Sequence, residues 1–451
     1  MINKIIIFLT FIPLIAIAGT QVDSDLALKM LQEQEKHFEQ RVIKLTENVY
    51  VAVGFHGANT SMIVGADGVI IVDTLMGPTA AGNAFRAFRQ YSDKPVKAII
   101  YTHSHPDHIG GASAFVGNQQ PAVYAMKGFA DSARVERELG PIMMRRFNRQ
   151  FGRKLPPHQM TNRGVAAAVT IDKDRGKGHI PPSVTINGDT KITIAGVDLE
   201  IYPAPGETDD ALFVWLPEEQ VLFAGDNFYY AFPNLYAIRG TGYRNVINWS
   251  TSVARMATFE PYHLVGGHTS PLSGRALATR ALREYSYAIR SVYDQTVEGI
   301  NLGKGPDLIA HEVKLSANVV DKPYLIEFYG SVSHAVRAIY SGLLGWYDGN
   351  PVGLHQLHPR AEAEKVARLA GGVKEFEEKT RAAMKAGEFQ WALELADHLK
   401  WLGEAEHQSA REIKIAALRA LAAHEYNAPN RNYYLSYALE LESGQIDDVW
   451  F

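Results

Sequence analysis

Three histidines and an aspartate fall within the six residues His103-Ser104-His105-Pro106-Asp107-His108, directly after the apolar run Ala98 to Tyr101. In an extended segment, side chains two apart point the same way, so His103 and His105 can grip one metal ion together. Pro106 ends the extended run, and Asp107 and His108 then turn towards a second point. Imidazole and carboxylate suit zinc, and less selectively iron or manganese. The plainer alternative is a surface loop that merely happens to be rich in histidine. Four ligand-type side chains behind a strand of buried character weigh against it.

A two-metal site needs further ligands, and the chain offers them in order. Pro205-Gly206-Glu207-Thr208-Asp209-Asp210 is a turn between two strand-like runs, Ala224-Gly225-Asp226-Asn227 closes another, and Gly266-Gly267-His268-Thr269 closes a third. Each places an acid or an imidazole at the C-terminal end of a strand, where α/β architectures present reactive groups. Alone, each reads as an ordinary turn or cap residue; together, downstream of the histidine-rich string, they become candidate ligands.

The elements that must carry these residues read as follows. Residues 24 to 46 are charged and helix-prone, a lead-in helix. Val49 to Phe55, Thr60 to Val64 and Val69 to Asp73 read as strands, with Gly65-Ala66-Asp67-Gly68 as a hairpin-type turn. Pro78 to Tyr91 reads as a helix with proline at its start. Strand patterns return at Lys191 to Ala195, Leu199 to Tyr202, Leu212 to Leu216 and Val221 to Ala224. This order fits stacked sheets with helices outside. In between, the basic group Arg145, Arg146, Arg149, Arg153 and Lys154 reads most simply as a solvated helix face, or else as a lip that attracts an anionic substrate. From Ser273 to Leu441 the pattern is helical. Val373 to Ala386 and Gln390 to Leu402 form a helix-turn-helix, and Glu412 to His424 a third helix like those of tetratricopeptide-type arrays.

The 451 residues are enough for two domains. With 45 basic and 49 acidic side chains the formal charge is -4, so nothing argues for a nucleic-acid partner. The absence of cysteine excludes disulfides, thiolate nucleophiles and Cys-ligated zinc, so any metal must sit on histidine and carboxylate. Residues 1-18 read as a secretory signal peptide: a single lysine at Lys4, an apolar run from Ile5 to Ile17, and a small-x-small site at Ala16-Ile17-Ala18. The expectation is a periplasmic or secreted protein with no stable membrane span.

The string HxHxDH resembles the signature of the metallo-β-lactamase superfamily. Glu207, where lactamase-like relatives have histidine, together with Asn227 looks like the alkylsulfatase family within it. The strings Tyr329-Gly330-Ser331-Val332-Ser333-His334, Leu344-Gly345-Trp346-Tyr347-Asp348-Gly349-Asn350-Pro351 and Arg431-Asn432-Tyr433-Tyr434-Leu435-Ser436-Tyr437 resemble that family's dimerisation domain. The resemblance implies an α/β fold, a metallo-β-lactamase αββα sandwich over 30-272, followed by an all-α dimerisation domain over 273-445 and a homodimer. It implies two zinc ions per chain, with His103, His105 and Glu207 on one, Asp107, His108 and His268 on the other, and Asp226 between them. It implies catalytic roles for Asp107 and Arg239, with Asn234 and Arg239 binding sulfate and Tyr243 and Arg244 as neighbouring substrate-binding candidates. The implied reaction turns an alkyl sulfate ester, a small-molecule substrate, into an alcohol and inorganic sulfate. Chemistry agrees, because a sulfate monoester repels hydroxide and a guanidinium forks onto its oxygens.

Three positions depart from the family pattern. Asp226 stands where the family generally has glutamate, Phe151 where a tyrosine hydroxyl is expected, and the chain stops at Phe451 where long-chain alkylsulfatases continue into a sterol-carrier-like domain, which favours a shorter or bulkier alcohol. Two other readings compete. One is a hydrolase of the same fold acting on a phosphoester, lactone or β-lactam. The other is a non-catalytic scaffold built on the helical half.

Overall fold

The structure is a computed structural model and describes residues 22–129, 138–168 and 173–445. Its strands run in chain order: β1 Arg41–Lys44, β2 Val49–Val53, β3 Thr60–Val64, β4 Val69–Val72, β5 Val96–Ile100, β6 Ala122–Met126, β7 Val184–Ile186, β8 Thr190–Ile194, β9 Val197–Pro203, β10 Leu212–Leu216, β11 Val221–Gly225, β12 His263–Gly266 and β13 Leu272–Ser273. β1 to β7 form one sheet in sequence order, and β13-β12-β11-β10-β9-β8 form the other. Strands joined by short turns pair antiparallel. β4 and β5, separated by the helix Pro78–Phe88, pair parallel, as a crossover through a helix requires.

Period-two patterning sorts the side chains between layers. Val49, Val51 and Val53 of β2 face the second sheet with Leu212, Val214, Val221 and Phe223, while Tyr50 and Ala52 face the helix Pro78–Phe88. On the far side, Phe213, Leu222 and Leu264 pack under the helices Val246–Ala257 and Arg275–Asn301. The architecture is the expected αββα sandwich followed by helices.

The expected boundary at 272/273 falls at β13. The helix Arg275–Asn301 beyond it is the outer layer of the sandwich, since Ala281, Leu282, Tyr285 and Ile289 share a hydrophobic cluster with Trp249 and Leu264. That cluster runs on to Val332, Val336 and Ile339 of the helix Val332–Leu344. The helices Pro359–Leu369, Val373–Lys385, Phe389–Leu399 and Glu404–Ala423 enclose a separate small core, around Phe376, Leu395 and Leu399.

Two local expectations change. The lead-in helix stops at Gln34 and a short 3-10 turn follows, because Val42 and Ile43 are β-branched and pair with Ala52 and Val51 as β1. The basic group is a solvated face only in part, with Arg145 and Lys154 exposed. Arg149 and Arg153 are buried, and Arg149 Nη2 lies 2.6 Å from Glu440 Oε2 on the helix Ala428–Glu442. Among the described residues no helix is long and apolar enough to cross a membrane. The expected signal peptide lies outside the described residues.

Candidate active site

β5 ends against an acidic buttress. The carboxylate of Asp73 accepts from the Thr102 backbone N–H and hydroxyl, each at 2.8 Å, and lies 2.7 Å from His108 Nδ1. Asp73 holds this place with a left-handed backbone, φ +59°, at the end of β4. With Nδ1 occupied, His108 presents Nε2 inward. His268 follows the same rule, with Nδ1 at 2.7 Å from the Gly57 carbonyl and Nε2 inward. His103 does so too, with the Thr102 hydroxyl 3.0 Å from its Nδ1. Outer partners of this kind fix ring orientation and raise ligand basicity in metal centres. His105 inverts the pattern and points Nδ1 inward, 2.9 Å from His103 Nε2.

The remaining ligand-type residues arrive from the second sheet. Asp226 follows β11, and its carboxylate sits in the middle: 3.3 Å from His108 Nε2, 3.2 Å from His268 Nε2 and 3.6 Å from His103 Nε2. Any Cβ at residue 267 would strike that carboxylate, so only glycine fits beside it. Glu207 occupies the turn after β9, which Asn227 clamps by accepting from Glu207 N–H at 3.2 Å and donating to the Ala204 carbonyl at 2.7 Å. Glu207 Oε1 lies 3.7 Å from His105 Nδ1 and 2.9 Å from Arg244 Nη1.

These seven side chains form three overlapping groups whose ligand atoms lie within 4.8 Å of one another: Asp107, His108 and His268; His105, Glu207 and Asp226; His103, His108 and Asp226. The first is as expected. The second and third differ from the expected partition, because Asp226 is central enough to belong to both. The donor set fits metal ions on a direct observation. His108 Nε2, Asp226 Oδ1 and Glu207 Oε2 are buried polar atoms without hydrogen-bond partners, a costly arrangement unless a cation satisfies them.

The electrostatics agree. Burial favours the neutral acid at Asp226, but His268, His108 and His103 outweigh it and hold the carboxyl well below the usual range. Burial likewise opposes charge on His268, and Asp226 overrides it, raising the imidazole to about 9. Glu207 goes the other way: burial pushes its carboxyl up to about 7 despite Arg244 and Arg239. His105 is driven well below 6.5 by burial, then by Arg239 and Arg244, so it stays a neutral donor.

The cluster floors a cavity whose upper wall is the helix Gly140–Gln150, through Met143, Met144 and Phe147. Arg239 faces this cavity, almost fully buried. The other expected substrate residues stand back from it. Arg244 lies behind Glu207, with Nη1 also donating to the Asn234 carbonyl at 2.6 Å. Asn234 is buried, with its side chain on Tyr329. Tyr243 is half-exposed and packs against Gly342 of the helix Val332–Leu344, outside the residues that line the cavity.

Sequence reasoning missed Asp73, Arg163 and Tyr329. Asp73 reads as an ordinary strand-end aspartate, and only its reach to His108 reveals it. Arg163 is a buried arginine in the cavity wall. Tyr329, noticed only as part of a helical-half string, lines the cavity with its ring 6.5 Å from that of Phe151. A tyrosine is therefore present beside Phe151, supplied from elsewhere in the chain.

Comparison with known proteins gives the same picture. Residues 53–268 match the family model described as metallo-beta-lactamase superfamily, and residues 306–444 the one described as alkyl sulfatase dimerisation. A linear primary-alkylsulfatase of a Pseudomonas species is 34% identical over 396 residues, covering 86% of this chain and 75% of the relative. An alkyl/aryl-sulfatase of Saccharomyces cerevisiae is 31% identical over 422 residues, but this chain spans only 64% of its length. Among solved structures, that of a stereoselective inverting sec-alkylsulfatase from a Pseudomonas species superposes with a TM-score of 0.86 at 27% identity, covering 94% of this chain and 69% of that one.

Proposed function

The chain belongs to the alkylsulfatase family of the metallo-beta-lactamase superfamily, and from that membership we propose that it hydrolyses an alkyl sulfate ester to an alcohol and inorganic sulfate with the help of two zinc ions. The observation that carries this reading is the convergence of His103, His105, Asp107, His108, Glu207, Asp226 and His268 on one buried centre beneath Arg239. His105 and Glu207 would hold one ion, Asp107, His108 and His268 the other, with Asp226 between them and His103 beside it. Bound there, the ions would supply positive charge to the ester oxygens and an acidified water as nucleophile.

The chain's own residues do the rest. Arg239 offers a charged fork to the sulfate oxygens. Asp107 is a carboxylate on the cavity wall that His108 and His268 keep ionised against the pull of burial, so it offers a fixed negative charge and acceptor oxygens there. Met143, Met144 and Phe147 give the alcohol an apolar wall that adapts to its shape. A short or branched alkyl group suits this wall. Arg239→Ala should lower kcat/KM by about a hundredfold, the scale of a lost charged donor, and retain full metal content. Unchanged KM and kcat in that variant would remove the sulfate-binding role.

The chain also acts, in this reading, as a homodimer exported to the periplasm or medium. Leu343 and Leu344 at the end of the helix Val332–Leu344, and Trp346, Val352, Leu354 and Leu357 just beyond it, stand exposed, Trp346 at 79%. A second copy would cover such side chains. Light scattering should give a dimer, and Trp346→Glu a monomer. The apolar run Ile5 to Ile17 supports export, which fractionation of cells expressing the full chain tests.

A further inference from the structure

Arg239 owes its direction to the helix that walls the cavity. Residues 238 to 240 lie in a turn closed by the Gly240 N–H donating to the Ala237 carbonyl at 2.9 Å, and they are fastened to the helix Gly140–Gln150 at three points. The Arg239 backbone N–H donates to Gln150 Oε1 at 2.8 Å. Arg146 Nη2 donates to the Ile238 carbonyl at 2.7 Å. Gly240 sits against the Met143 sulfur, which a Cβ at that position would approach to 3.3 Å. Gln150 is completely buried, so its hydrogen bond to the loop meets no competition from water.

The fastening has its own anchor. Arg149, the residue before Gln150, reaches Glu440 Oε2 with Nε at 3.1 Å and Nη2 at 2.6 Å, and lies over the Tyr437 ring at 4.7 Å. Both groups of this ion pair are buried, so the last turn of the helix is pinned to the C-terminal helix Ala428–Glu442. A neutral carboxamide at 150 also suits the task. It accepts from the loop without adding a negative charge beside a guanidinium that must meet an anion.

We infer that Gln150 is a positioning residue that aims Arg239 at the sulfate group of the substrate, with the Arg149–Glu440 pair as its buttress. The inference rests on the reading of Arg239 as the sulfate-binding guanidinium. Gln150 does not line the cavity. Its loss acts on KM through Arg239, and the metal centre stays intact.

The test is a double-mutant cycle read in steady-state sulfate release, with a short-chain alkyl sulfate as probe and metal content and thermal melting measured on each protein. Gln150→Met keeps the volume and removes the acceptor. It should raise KM roughly tenfold, the scale of one buried hydrogen bond, with kcat changed less than about twofold and metal content unchanged. In an Arg239→Ala background, the same substitution should change KM less than about twofold. Should Gln150→Met fail to fold, Arg146→Met, which removes the donor to the Ile238 carbonyl, is expected to shift KM in the same direction. Equal KM effects of Gln150→Met in both backgrounds, or none in either, would overturn the inference. Unchanged KM and kcat in Arg239→Ala itself would instead overturn the sulfate-binding reading, and the role of Gln150 with it.

Discussion

Two of the places where this molecule draws carboxyl groups inward treat them oppositely. In the centre beneath Arg239, Asp226 and Asp107 remain ionised because three imidazoles surround them. At the seam between residues 326 to 330 and the helix Ala428–Glu442, Glu327 has Lys314 near it and Glu425 has Arg431, in place of a ring of imidazoles. Glu425 accepts from the Asn427 N–H at 2.8 Å and from Asn430 Nδ2 at 3.2 Å, yet burial lifts it to about 7. Glu327 is likewise raised by burial, although it accepts from Val332 N–H at 2.7 Å. Hydrogen bonds and one nearby cation do not outweigh burial here, whereas three surrounding imidazoles do. The first cluster is built around positive charge, whereas the second is a neutral joint. Glu207 stands between the two cases. Burial raises it, and a bound cation would reverse the sign.

Asp226→Asn should break the contrast most severely. It removes the charge that three histidines share, so metal content should collapse and sulfate release fall on the order of a thousandfold, as when one member of a concerted unit is lost. Near-normal turnover with this variant would mean that Asp226 is no ligand.

Glu425→Gln tests the other side. Because the folded-state value lies above the ordinary 4.5, the folded protein binds the proton more tightly than the unfolded chain. That stabilising contribution is complete below about pH 4.5 and is lost as pH rises to about 7. The loss amounts to about 3 kcal/mol at 1.36 kcal/mol per unit. The variant should therefore gain on the wild type in denaturant titrations as pH goes from 4.5 to 7.5, with activity unaffected. A constant stability difference across that range would put Glu425 in the charged class.

Asp73→Asn sharpens the account of the outer partners. It leaves every ligand in place but weakens the hold on His108, and should cost ten- to a hundredfold in metal affinity, read by competition with a chelator. Unaltered affinity would reduce Asp73 to a structural cap on β5. The smallest effect is expected of Tyr243→Phe. Its ring packs on Gly342 outside the cavity, so kcat/KM should move less than about twofold; a larger drop would return Tyr243 to the substrate site.

Much of this was legible in the chain because ligand chemistry is compressed into short strings. His103 to His108 declares itself within one loop, and Glu207, Asp226 and His268 each close a strand. What escaped depends on distance. Arg149 looks like part of a wet basic face until Glu440, 291 residues further on, is seen against it. Asp73 is an ordinary strand-end acid until the parallel pairing of β4 and β5 sets it under Thr102 and His108. Tyr329 reaches the cavity through packing with Leu31, Val165, Tyr229 and Ala231, residues far from it in the chain. Val42 and Ile43 show the local version of the same problem: helix-prone neighbours masked a strand that only the pairing with β2 reveals.

The most direct test of the central claim is a metal titration of the stripped protein, with sulfate release followed at each addition. Activity should vanish with the chelator and return as zinc is added, reaching its plateau at two equivalents per chain. Full turnover in metal-free protein, or a plateau at one equivalent or less, would contradict the paired centre on which the hydrolase reading stands.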